Sequence, residues 1–324
     1  MTALLDVSDL RVTLPGADGP ITIVDGVSFT VTRGEIFGVA GESGSGKTMS
    51  TLALLRLLPR GAVVEGHAVF DGVDLLTLSA KEMRQTRGNA LSMVFQDPLT
   101  SLHPMLSIER QLTDHVRYHL GLSRSQARAR ATELLTQVRI PDPVTALRAY
   151  PHQFSGGMRQ RIAIAIALAC KPSLLIADEP TTALDVTVQA GILGLLADLR
   201  QETGLSVILI THDLGVMSTV SDRLTIFYAG RVVESGPTSD VIRAARHPYT
   251  RGLLEALPHP EAAERLPLVP IPGSAATPQA RPPGCAFHPR CRYAEETCSV
   301  ALPLLAPVGE GRQAACPIDP FRPR

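Results

Sequence analysis

The densest chemistry in the chain is the octapeptide GESGSGKT at residues 41 to 48, which fits G-x-x-x-x-G-K-[ST] and follows the apolar run EIFGVA. Gly41, Gly44 and Gly46 allow a tight turn with its N–H groups pointing inward, and the start of the helix expected next adds a positive dipole end. Such a turn cradles phosphate, with Lys47 reaching the outer phosphates and the Thr48 hydroxyl holding Mg2+. A mere glycine turn between strand and helix needs no Lys-Thr pair. A second candidate is LLIADE, residues 174 to 179, an apolar strand ending in two carboxylates. Beside a phosphate loop, Asp178 would help hold the metal and Glu179 would act as general base on the attacking water. FSGGMRQR, residues 154 to 161, is a third: Ser155, Gly156 and Gly157 at a helix start offer a hydroxyl and bare N–H groups to an anion. One nucleotide hardly needs both cradles from one subunit.

These groups need strands that end beside helices. Residues 3 to 13 and 21 to 31 alternate apolar and polar positions around Pro15-Gly16 and Gly19-Pro20, which predicts an antiparallel pair. Residues 35 to 40 form the strand entering the phosphate loop, and TMSTLALLRLL is a helix stopped by Pro59. VVEGHAVF and ALSMVFQ are strand-like, the second bringing Gln96 to a carboxyl end, the ligand side of an α/β sheet. Residues 98 to 154 change to helix and loop, with Ser123 and Gln126 forming a capping box. SLLIA, a helix over about 187 to 203 and SVILIT ending at His212 then alternate, predicting a mainly parallel sheet covered on both faces. A short strand pair around Ala229-Gly230 follows. Prolines from 258 to 283 mark a helical and largely extended Pro-rich linker over 237 to 284, ahead of a Cys-rich extension over 285 to 324. The core is then 1 to 97 with 155 to 236, and 98 to 154 is a helical insertion.

Composition excludes other classes. Lys+Arg 31 against Asp+Glu 31 leaves no broad field for nucleic acid or anionic lipid. The N-terminus MTALLDVSDL has no basic region followed by an apolar stretch, so no secretory signal is expected. The longest apolar run, IAIAIALAC, is about half of the ~20 residues that cross a bilayer, so membrane association must come through a partner. Four of the five cysteines, Cys285, Cys291, Cys298 and Cys316, lie in the tail with gaps of five, six and seventeen residues. Cys₄ ligation suits either Zn2+ or an iron-sulfur cluster, and this spacing matches neither zinc-ribbon pairs nor the bacterial ferredoxin run. Cys170 is read as a buried helix residue and His288 as a loop residue.

FSGGMRQR closely resembles the signature motif of ABC-type ATPases, and the other family motifs stand in order: Gln96, Asp178-Glu179, Ala183-Leu184-Asp185 and His212. The resemblance implies an α/β, phosphate-loop (RecA-like) nucleotide-binding domain with an antiparallel β subdomain. It implies ATP contacts from Gly41, Ser43, Gly44, Ser45, Gly46, Lys47, Thr48, Gln96 and Asp178. Mg2+ would meet Thr48, Gln96 and Asp178. Glu179, His212 and Gln96 would be catalytic, His212 at the γ-phosphate, and Asp185 would link two subunits. Ser155, Gly156, Gly157 and Gln160 would contact the nucleotide of the partner subunit. Two subunits would close head to tail on ATP and reopen after hydrolysis.

A finer likeness spans nearly the whole chain. VFQDPLTSLHP, LLIADEPTTALDVTVQA, YAGRVVESG and RHPYTRGLL resemble ATPase subunits of bacterial dipeptide and oligopeptide importers, whose relatives carry nickel or other small solutes. The likeness implies two transmembrane permease subunits, a second, paralogous ATPase and an extracytoplasmic substrate-binding protein, at the cytoplasmic face of the inner membrane. It also implies a 4Fe-4S cluster on the four tail cysteines, with Zn2+ as the alternative. One departure concerns the base: Ile21 or Ile23 stands where the family usually stacks an aromatic ring on adenine. A soluble ABC ATPase of ribosomes or DNA would need a second nucleotide domain or a long coiled coil. A regulatory module with little turnover would not need Glu179 and His212.

Overall fold

The structure is a computed structural model, and it describes residues 3–182, 184–257 and 269–321. Prolines 258, 260 and 267, and Ala183 of the expected subunit-linking loop, lie outside the described residues. In chain order the first elements are β1 (Ala3–Leu14), β2 (Ile21–Thr32), β3 (Ile36–Ala40), α1 (Lys47–Leu54), β4 (Val63–Phe70) and β5 (Val73–Asp74). There follow α2 (Ala80–Thr86), β6 (Leu91–Val94), α3 (Pro98–Ser101), α4 (Ile108–Leu120), α5 (Arg124–Gln137), α6 (Pro143–Ala146) and α7 (Gly156–Ala167). Next come β7 (Leu174–Asp178), α8 (Val186–Thr203), β8 (Ser206–Thr211), α9 (Leu214–Val220), β9 (Arg223–Tyr228) and β10 (Arg231–Pro237). The chain ends in α10 (Thr238–Arg243), α11 (Pro248–Glu255), α12 (Glu296–Val300), β11 (Ala306–Gly309) and β12 (Arg312–Ala314).

Contacts gather these elements into two units. The first holds residues 32–36 and 77–210. In it β6, β7 and β8 run parallel, with Leu91 opposite Leu174 and Leu174 opposite Ser206. β7 and β8 are buried along their whole length, as continuous apolar strands between covered faces must be. α7 packs on β6, α4, α5 and α8, so the helical insertion and these strands share one core. The capping box expected at Ser123 and Gln126 is present at the start of α5.

The second unit holds residues 3–31, 37–76 and the chain from 211 onward. An antiparallel sheet runs in the order β2-β1-β4-β5; β1 buries Leu5 and Val7 and then Leu10 and Val12, its alternation shifted by an irregularity in register between Ser8 and Arg11. β3 pairs parallel with β9, placing the phosphate loop at the carboxyl end of β3. β9 and β10 form the expected hairpin, whose two-residue turn has Ala229 at φ 47° and Gly230 at φ 81°, the pair of positive values that a type I′ turn demands. Past residue 237, in the segment expected to be a helical and Pro-rich linker, α10 and α11 occupy 238–243 and 248–255. Nor are residues 285–321 an appendage, because β12 pairs antiparallel with β10 and β11 with β12, extending the sheet.

Candidate nucleotide site

In the second unit the phosphate loop has the backbone its glycines foretell. Gly41 has φ 145°, and a Cβ there would lie 2.2 Å from the Phe227 carbonyl oxygen. Gly46, the residue before α1, has φ 102° and would bring a Cβ within 3.2 Å of the Ile23 oxygen. Neither position admits a side chain. The Gly230 N–H donates to the Ser45 carbonyl at 2.8 Å, fastening the loop to the β9–β10 turn. Lys47 is buried, and its Nζ donates to the carbonyls of Gly41 and Glu42, each at 2.8 Å. Ser43, Gly44 and Thr48 are exposed where α1 begins, the end that attracts anions. Ile21 and Ile23 are half-buried on β2. His212, just past β8, is exposed, and Asp213 after it caps α9.

In the first unit Asp178 closes β7 and is 3% exposed. Glu179 turns the chain with φ 45°, a left-handed conformation rare for a side-chain-bearing residue and typical of strained functional positions. Its carboxylate Oε2 accepts from Gln96 Nε2 at 2.9 Å and from Thr182 Oγ1 at 2.9 Å. The structure thus joins Gln96 to Glu179 directly. Thr182 is a partner the motifs do not name; its only signal is its place three residues past Glu179. Ser155 caps α7 through Met158 N, and Ser155 and Gly156 are exposed. Gln160, expected to reach a partner's nucleotide with them, is 1% exposed, so this chain alone does not present it. Asp185 is exposed and caps α8 by accepting from Val188 N at 2.9 Å.

None of the four tail cysteines is in a disulfide. Burial pushes the Cys285 thiol up to about 11 and raises those of Cys291 and Cys316. The thiols share one neighbourhood, since each of these three is raised further by others of the set. Backbone N–H groups oppose the rise: Phe287 donates to Cys285, Tyr293 to Cys291, and Ile318 and Asp319 to Cys316. Among the described residues no three His, Cys, Asp or Glu side chains are arranged to hold a metal ion. His288 sits in the short 3-10 turn His288–Arg290, its Nδ1 3.0 Å from the Cys285 carbonyl oxygen. Cys170 is buried in the turn just past α7 rather than within the helix, and burial raises its thiol to about 11.

A family model described as ABC transporter matches residues 24–182, and one described as oligopeptide/dipeptide transporter, C-terminal region, matches residues 233–298. The chain is 49% identical to a Brucella abortus protein named for peptide import and ATP binding, over 97% of this chain and 94% of that one. It is 45% identical to the dipeptide transport ATP-binding protein DppD of Escherichia coli, over 98% of each. The oligopeptide transport ATP-binding protein OppD of Salmonella typhimurium is also 45% identical, over 97% of this chain and 93% of that one. Among solved structures it is similar to the ATP-binding cassette MJ0796 in a dimeric post-hydrolysis state bound to ADP and Pi. There the TM-score is 0.64 at 28% identity, covering 72% of this chain and 98% of that one. Fold and site together define an ABC-type, ATP-hydrolysing cassette. Within that class, the chain belongs to the ATP-binding subunits of the oligopeptide/dipeptide transporter family.

Proposed function

We propose that this chain powers a bacterial importer of di- or oligopeptides. The observation that carries the reading is the join of an ABC cassette to a C-terminal region of oligopeptide/dipeptide transporter type, in one chain 45% identical to DppD over 98% of its length. No described helix is long and apolar enough to cross a membrane. On the pattern of the transport ATP-binding proteins it resembles, the chain works peripherally, at the cytoplasmic face, on two permease subunits. A second ATPase and an extracytoplasmic binding protein complete the machine. ATP lies on the phosphate loop of one subunit and against Ser155, Gly156 and Gly157 of the other, because a ligand drives closure only by contacting both halves.

Lys47 and the N–H groups of residues 41 to 48 bind the phosphates, and His212 meets the γ-phosphate. Glu179, steadied by Gln96 and Thr182, takes the proton of the attacking water at its carboxylate. The residues assigned to Mg2+ are Thr48, Gln96 and Asp178; an oxygen donor set of this kind suits a hard cation, which neutralises charge on the phosphates. In the tail, Cys285, Cys291, Cys298 and Cys316 would hold a 4Fe-4S cluster. Its support is that the four thiols share one neighbourhood and that backbone N–H groups donate to three of the sulfurs, a contact that tunes such clusters.

One purification tests both parts. The tagged chain, isolated anaerobically from membranes, is expected to bring two multi-span subunits, to carry iron and sulfide, and to drive peptide uptake in vesicles. Uptake of nickel without peptide would overturn the cargo. A complex with ribosomes in place of membrane subunits would overturn the importer, and stoichiometric zinc without iron would overturn the cluster.

A further inference from the structure

Glu42, the second residue of the phosphate loop, is gripped by residues far along the chain. Arg290 Nη1 donates to Glu42 Oε2 at 2.8 Å and its Nη2 to Oε1 at 3.0 Å, a two-pronged pairing that fixes direction as well as distance. The Arg290 side chain is 7% exposed. It is itself held: Nε donates to the Pro272 carbonyl at 2.8 Å, and the guanidinium lies 5.9 Å from the Tyr228 ring centre and 5.8 Å from that of Phe287. Tyr249, fully buried, accepts the Glu42 backbone N–H on its hydroxyl at 2.8 Å. The Glu42 carbonyl in turn accepts from Lys47 Nζ at 2.8 Å. Both the backbone and the carboxylate of residue 42 are therefore set from the C-terminal region, one bond away from the phosphate-binding lysine.

Two physical consequences follow for nucleotide. A loop that binds by aimed N–H groups gains from being fixed before the ligand arrives. Glu42 also places a negative charge in a loop built for anions, and Arg290 neutralises it there. If the only need were to hold the tail, an apolar pair would serve as well, since buried ion pairs seldom add stability over packed hydrophobic groups. We propose that Arg290 and Tyr249 are positioning residues of the ATP site, acting through Glu42 to preorganise the phosphate loop and to mask its carboxylate. The proposal concerns the ATPase site and does not depend on the cargo.

The test measures Mg-ATP affinity, KM and kcat of the full chain, with thermal melting alongside. Arg290→Met should raise Kd and KM about tenfold, within the common range of about 5- to 150-fold for coupling between sites, while kcat at saturating ATP stays within about twofold. Adding Glu42→Gln to Arg290→Met removes the unmasked charge and should recover most of the lost affinity. A lowered melting temperature with KM unmoved would show a structural role only and overturn the proposal. So would a double variant as weak in ATP as Arg290→Met alone. Should Arg290→Met not fold, Tyr249→Phe carries the test: it deletes one hydroxyl, and an unchanged KM in that variant overturns the proposal equally.

Discussion

Glu179 is held by two donors, Gln96 and Thr182, on the same oxygen, and its backbone is turned out of β7 by a positive φ. Glu179→Gln keeps the shape and an oxygen for both donors but cannot take a proton. Phosphate release should fall by roughly 10²- to 10⁴-fold, the usual worth of a general base, with ATP affinity unchanged. A rate within about tenfold of the parent chain would place the base elsewhere. At this scale the sequence was most legible where chemistry restricts residue type. Gly41 and Gly46 could be named because no other residue tolerates their backbone next to the Phe227 and Ile23 carbonyls. Arg290 and Tyr249 could not, since a partner 248 or 207 residues away leaves no local pattern. Gln160 shows the opposite limit: it belongs to the motif by position, but α7 is wrapped by α4, α5, α8 and β6, and that packing decides which of its side chains remain outside.

Elements were legible where period and punctuation agree, as in the fully buried β7 and β8 or the β9–β10 hairpin. β11 and β12 were not, because APVG and RQA are too short and too exposed to show alternation. They are strands because β10 offers an edge that needs pairing. α11 lies in the segment expected to be helical and Pro-rich, and its cap carries a pH dependence. His247 caps this helix, with Nδ1 accepting from Tyr249 N at 3.1 Å, and its ring is 1% exposed. Burial drives its pKa down to about 3 from an ordinary 6.5. Its stabilising contribution is thus complete above about pH 6.5 and is lost as pH falls toward 3, because the unfolded chain takes up a proton that the fold refuses. The slope is about 1.4 kcal/mol per pH unit. His247→Asn retains a capping oxygen and cannot titrate. Between pH 7 and pH 5 the parent chain should lose about 2 kcal/mol more than this variant in denaturant unfolding. Glu234 opposes the trend, since burial raises its pKa, but it is present in both proteins and cancels in the difference. Equal losses would show that His247 is protonated in the fold.

For the whole molecule, the question is whether residues 285–321 are cargo of the cassette or part of it. Glu234 on β10 is 0% exposed and accepts the N–H groups of Arg246 and His247 at 2.9 Å each. Its charge is matched by Arg312 of β12 at 3.2 Å, and Arg246 pairs with Asp319 beyond it. A chain ending at residue 284 would keep the complete phosphate loop and the carboxylates of Asp178 and Glu179. It would also uncover the β10 edge and leave Glu234 buried without Arg312. Removing one partner of a buried pair costs about 3 to 5 kcal/mol, which for a chain of this size lowers the melting temperature by roughly 10 °C. Adding Glu234→Gln to the shortened chain replaces the stranded carboxylate with an amide whose oxygen still receives an N–H. About half of the lost stability should return, although the edge stays open. Melting of the shortened chain together with the full one would mean that the tail is merely tethered. A large loss that Glu234→Gln leaves untouched would instead assign the cost to the open edge and the missing packing.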